Sequence, residues 1–186
     1  TIFIFFYPSA HTATSKTSAL PDAITTFPEM LKDGGYYTKG YSNNPNITAT
    51  FNFDQGFVDY VDLKPNLLFY ASVSASKMSM YEVLRRVYHS VLSRVTGGKM
   101  NVSDFYQPAE SVTDTALEWV DGSGRPRNAP FFLFLHYMDP HDPFMDWANP
   151  GVGYARVQLG DPEPEPYREK MIDAYRQEIE YLDEHL

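Results

Sequence analysis

At 186 residues the chain is long enough for one domain with a substantial core. Its 43% hydrophobic content, with 14 Tyr and 13 Phe, excludes disorder throughout, and 24 acidic against 15 basic side chains exclude general nucleic-acid or anionic-membrane binding. With no cysteine there is no disulfide, thiolate metal site or cysteine nucleophile, while an anionic substrate stays open because a metal can supply a local positive field.

The apolar opening Ile2 to Tyr7 is too short to span a membrane and lacks the basic residues that precede a signal sequence. It is expected to be a strand or the end of a buried helix, and a chain that begins inside something apolar reads as an internal fragment. Pro8-Ser9-Ala10-His11 breaks it, and Thr12 to Ser18 reads as loop. Thr26-Phe27-Pro28-Glu29 has the capping-box pattern, and Gly34-Gly35 stops the short helix that follows. Tyr36 to Tyr41 is rich in β-formers and predicts a strand, so helix and strand form half of a βαβ unit. Ser42 to Asn46 is a turn at its far end. Phe51 to Phe57 predicts an irregular aromatic plug, and Asn66 to Tyr70 a short strand or extended connection.

Tyr81, Leu84, Val87, Tyr88, Val91 and Val95 recur at helical spacing before Gly97-Gly98. Ser111-Val112-Thr113-Asp114 opens another helix, which Asp121-Gly122 ends, and Gly124 to Asn128 is a basic loop. Phe131-Phe132-Leu133-Phe134-Leu135 then predicts a central strand buried on both faces. The prolines at 130, 140 and 143 leave too little room for a helix. Past Asp161 to Pro166, a stiff acidic connector, a last helix is expected to bury Met171, Ile172, Tyr175, Ile179 and Leu182.

The order helix, loop, buried strand, polar cluster is that of an α/β doubly wound sheet. It puts His136, Asp139, His141 and Asp142 just past a strand's carboxyl end, where ligands bind in open α/β sheets. Three readings follow from these side chains alone. Imidazole and carboxylate are standard metal ligands. A histidine can donate to an oxyanion or shuttle a proton. Or the aspartates make local turns and the histidines are polar edges.

Phe132 to Phe144, with its Asp139-Pro140-His141 loop, resembles the strand and histidine loop of sulfatases in the alkaline phosphatase superfamily. Tyr7-Pro8-Ser9-Ala10-His11 resembles the family's Y-P-x-x-H, and Phe27 to Tyr41 its helix–strand unit. Phe53-Asp54-Gln55-Gly56-Phe57 resembles its G-F-D-x-G-F segment, and Tyr175 to Asp183 its Y-x-x-E-I-x-Y-x-D helix. The matches keep family order from end to end. The resemblance implies a partial alkaline-phosphatase-like three-layer sandwich, with a mostly parallel central sheet flanked by helices, in a single truncated catalytic domain over residues 1–186.

It also implies hydrolysis of a small-molecule or carbohydrate sulfate ester by a formylglycine nucleophile beside a divalent cation, usually calcium. His141 would hydrogen-bond a sulfate oxygen or the leaving-group side, with His136 supporting the same pocket. The family's nucleophile motif and first metal aspartates belong upstream of residue 1, and its later metal loop beyond Leu186. No metal ligand is therefore expected among these residues. The family's lysine and histidine after the "G-Y-x-T" strand are replaced by Ser42-Asn43-Asn44-Pro45, in which Asn43 or Asn44 could contact substrate.

A phosphodiesterase or phosphonate hydrolase of the same superfamily is the alternative enzyme. A degenerate sulfatase-like binding module is the non-enzyme alternative. Open sheet edges left by truncation would favour self-association, and a monodisperse monomer in sedimentation would oppose that. Titration calorimetry of the chain with calcium is expected to show no binding. Measurable affinity would place the metal ligands among its own residues.

Overall fold

The computed structural model describes residues 3, 4, 7, 11, 13, 15, 18–63, 106–142, 144, 145, 153, 154 and 165–186. The expected helix at 81–95, the segment 66–70, most of the opening and of the Thr12–Ser18 loop, and residues 161–164 of the connector lie outside the described residues. The chain divides into two units, Thr1–Leu63 with Ser111–Tyr137, and Lys64–Glu110 with Met138–Leu186.

In the first unit, Thr26 starts a helix as its sequence predicts. Its hydroxyl accepts from the Glu29 amide (3.3 Å) while the Glu29 carboxylate accepts from the Thr26 amide (2.7 Å). Donors that the first helical turn cannot satisfy internally are thereby paired. Helix α1 (Phe27–Asp33) stops at Gly34, and strand β1 (Tyr37–Ser42) follows. Strands β2 (Asp59–Asp62) and β3 (Phe131–His136) pair with β1 in parallel on either side, giving the order β2-β1-β3.

Alternation along β1 sorts its side chains onto two faces. On one, Tyr41 packs with Ala116 and Trp119 of helix α2 (Ala109–Asp121), joined by Tyr37, Val61, Leu133 and Leu135. On the other, the Phe57 ring meets Phe3 (5.4 Å), Tyr60 (5.1 Å) and Phe132 (6.1 Å), and Phe27 of α1 meets Phe132 (5.5 Å). Helices thus cover opposite faces of a parallel sheet, a three-layer α/β arrangement. Gly40 is required here, because a Cβ would stand 2.5 Å from the Tyr60 ring. Lys39 is buried in the middle strand; its ammonium is paired with Asp59 and lies 4.7 Å over the Tyr41 ring, which offsets its desolvation.

Three expectations are corrected. Among the described residues β3 is an edge strand, half-buried along its length, with Phe131 37% exposed. Strand β2 was unforeseen, since aspartates at both its ends disguise the apolar middle. Helix α2 begins at Ala109, two residues before Ser111, right after Pro108. The basic loop acts as its C-terminal cap: Arg125 donates to the Val120 carbonyl (3.0 Å) and Arg127 to those of Asp121 and Gly122 (2.5 and 3.0 Å).

In the second unit, strands β4 (Phe144–Met145) and β5 (Gly153–Tyr154) form an antiparallel pair against helix α3 (Glu165–Glu184), where Phe144 meets Tyr175 at 5.1 Å. The expected apolar stripe of α3 is rotated. Ile172, Tyr175 and Ile179 are 37–43% exposed, and the buried positions are Ala174 and Glu178. Ala174 permits close backbone approach, and Glu178 is drawn inward beside the Tyr106 phenol. Among the described residues no helix is long and apolar enough to cross a membrane.

Gly56 has φ 86°, and a Cβ there would lie 2.4 Å from the Glu29 amide nitrogen. Gly56→Ala combines a left-handed backbone penalty with a backbone clash and should cost roughly 2–5 kcal/mol. Urea unfolding of the variant against the parent chain measures it.

Candidate functional site

Parallel pairing brings the carboxyl ends of all three strands of the first unit to one edge. Ser42 registers with Asp62 on one side and His136 on the other. Registered residues share a sheet face, so a hydroxyl, a carboxylate and an imidazole stand abreast. Ser42 and the next residue, Asn43, are buried. The Ser42 hydroxyl accepts from the Asn44 amide (3.4 Å) and also bonds the Tyr60 hydroxyl, which donates to the Ile47 carbonyl (3.0 Å). Burial pushes the Tyr60 phenol up to about 12; the Ser42 bond opposes this, and the charges of Asp62 and Asp54 add to it.

Asn43 and Asn44 now separate. The Asn44 side-chain oxygen accepts from the Asn46 amide (2.8 Å), a local turn that occupies it. Asn43 sits at the strand tip itself. His136, half-buried at the end of β3, lies 6.3 Å from the Phe134 ring, and the next residue is fixed by a 2.8 Å bond between the Tyr137 and Thr113 hydroxyls. Asp62 joins this edge without having been singled out from sequence, because its place there depends on the pairing of β2.

In the second unit the Asp139-Pro140-His141 segment is a turn closed by the His141 amide donating to the Met138 carbonyl (2.6 Å), with a cis Asp139–Pro140 peptide inside it. Its two polar side chains diverge: Asp139 is 3% exposed, whereas the His141 side chain is 59% exposed. The His141 Nδ1 lies 2.7 Å from the Asp142 carbonyl and 3.4 Å from the Asp142 carboxylate. Both oxygens can only accept, so Nδ1 carries a proton. Nε2 is then a lone pair in the neutral ring and a second donor in the imidazolium.

Asp139, one of the four clustered polar side chains, is buried. Burial pushes its carboxyl up to about 6, against the backbone amides of Asp139 and Ala109 and the nearby His185. Burial likewise raises the Tyr106 phenol, with the charges of Glu178 and Asp139 adding to the effect.

Among the described residues no three His, Asp or Glu side chains converge on a metal-sized position. A sulfatase family model matches residues 1–186.

The chain belongs to the sulfatase family.

Solved structures similar to this sulfatase chain include BT4656 in complex with its substrate D-glucosamine-2-N,6-O-disulfate, at 18% identity and TM-score 0.47 over 77% of this chain and 24% of that one. Ps i-CgsB is similar at 15% identity and TM-score 0.36 over 94% of this chain and 39% of that one, and its complex with k-i-k-neocarrahexaose has TM-score 0.37. The chain thus spans about a quarter to two fifths of the length of these proteins. No curated protein sequence matches it.

The Asp142 contacts predict that neutral His141 holds its proton on Nδ1, contrary to the usual preference of a solvated imidazole. Nitrogen-15 chemical shifts of the ring above neutral pH measure the tautomer. A dominant Nε2–H form would remove the orienting role of Asp142.

Proposed function

We propose that this sulfatase chain is the part of a metal-dependent sulfuric ester hydrolase that handles the sulfate group or the departing alcohol, through His141. What supports this is the divergence of the turn: one end is anchored by buried Asp139, and the other presents a solvent-facing imidazole whose Nδ1 is held by Asp142. When the S–O bond breaks, negative charge builds on the leaving oxygen. An imidazolium with Nδ1 occupied has Nε2–H available to donate there, and the neutral ring returns with a lone pair able to accept a proton later.

His136 and Asn43, at the sheet edge of the first unit, are assigned to the lining of the substrate pocket, whereas Asn44 is committed to its turn. The divalent cation, expected to be calcium, would offset charge on the sulfate and on the attacking group, and both it and the formylglycine would come from other parts of the longer protein. The substrate is a small-molecule or carbohydrate sulfate ester. On this reading the 186-residue chain by itself does not turn over an aryl sulfate.

The test uses the intact enzyme with two sulfate esters, one with a poor alkyl leaving group and one with a nitrophenyl group. His141→Ala should lower kcat by about 10²–10⁴-fold on the alkyl ester and far less on the nitrophenyl ester if the proton goes to the leaving oxygen. Equal losses place His141 on the sulfate oxygens. Unchanged rates on both overturn the role, and faster cleavage of the matching phosphate diester would move the enzyme to phosphoryl chemistry.

A further inference from the structure

Asn46-Ile47-Thr48 is an asparagine followed, after one residue other than proline, by a threonine. In such a tripeptide the asparagine amide can accept an N-linked oligosaccharide. Short strings of this kind arise by chance, so the surroundings decide. The turn that carries this one starts at Asn44: the Ile47 amide donates to the Asn44 carbonyl (3.0 Å), with Pro45 and Asn46 as the central pair. Proline presets the first central position, and Asn46, at the second, is exposed. The Tyr60 hydroxyl donates to the Ile47 carbonyl (3.0 Å), which ties the turn to β2. The Asn46 side-chain nitrogen carries two hydrogens and lies 3.3 Å from the Asn44 side-chain oxygen. One hydrogen serves that contact and the other is left for substitution, so a sugar can be joined with the turn unchanged.

Thr48 supplies a second, independent observation. Its hydroxyl oxygen is buried and has no hydrogen-bond partner among the described residues. Its carbonyl, in contrast, accepts from the amides of Phe51 (3.0 Å) and Phe53 (3.2 Å). A buried hydroxyl left unpaired is a cost that a valine of the same shape would not carry. The fold thus uses the backbone of Thr48 and not its hydroxyl. Glycan transfer does use that hydroxyl, and it does so on the extended chain, before packing closes over the side chain.

We propose that Asn46 is an N-glycosylation site, taking its oligosaccharide from a polyisoprenoid pyrophosphate donor. The Asn46 side-chain nitrogen bonds to C1 of the first sugar as the bond from C1 to the pyrophosphate oxygen breaks. The nitrogen gives up one proton, the lipid pyrophosphate leaves, and nothing is oxidised or reduced. The chain then passes through a lumenal compartment where such donors are used. The turn follows Asn43, so the sugar stands at the same end of the sheet as the proposed pocket lining. The acceptor role does not rest on His141, and its failure would leave that role standing.

The test sends the intact protein through the secretory pathway of a eukaryotic cell and maps its glycans by mass spectrometry. Asn101-Val102-Ser103 is another such tripeptide, outside the described residues, so the mapping is made peptide by peptide. The Asn46 peptide should carry a glycan, and amidase release in oxygen-18 water should leave a labelled aspartate in its place. Asn46→Gln and Thr48→Val should each abolish that glycan. Thr48→Val should also leave the urea unfolding midpoint of the deglycosylated protein unchanged or higher. An unmodified Asn46, or a glycan there that survives Thr48→Val, overturns the site. A lower midpoint for Thr48→Val returns the hydroxyl to the fold and overturns its assignment to glycan transfer.

Discussion

Every placement at the sheet edge depends on β1 accepting a parallel partner along each of its sides. Hydrogen bonds supply the pairing, but the register comes from what the pairing buries. On one face Gly40 leaves the space into which the Tyr60 and Phe57 rings close, and on the other Tyr41 meets Ala116 and Trp119. A slip by one residue would turn the Phe132 and Phe134 rings from the Phe57 cluster toward α2. The register that satisfies both faces is also the one that sets Ser42 between Asp62 and His136. The polar edge is a consequence of aromatic packing beneath it.

The buried charges are solved in opposite ways. Lys39 and Asp59 neutralise each other, helped by the Tyr41 ring, so that pair adds fixed geometry to the middle of the sheet. In the second unit, Asp139 and Glu178 both act on the buried Tyr106 phenol.

Much of this was legible in the residues because it is local. The Thr26–Glu29 box needs only four consecutive positions, β1 needs its β-formers, and the Asp139-Pro140-His141 turn needs its proline. The family resemblance lay in such local strings too, which is why a match over residues 1–186 agrees with it. What escaped was set by partners far along the chain. Strand β2 exists because β1 offers an edge. Lys39 is buried because Asp59, twenty residues on, reaches it. The inward face of α3 carries Ala174 and Glu178, so hydrophobic periodicity alone pointed to the wrong stripe.

The two sequence-marked histidines differ in what surrounds them, and that difference bears on how each could act. His136 ends a strand whose pairing, together with the adjacent Thr113–Tyr137 bond, fixes its backbone, so its position is as rigid as the sheet. His141 is exposed on a turn closed by its own amide, with Asp139 buried two residues earlier. A rigid imidazole can shape a pocket but adjusts little as charge moves. One on a turn can follow the atom that gains charge, provided the turn is held while the bond breaks.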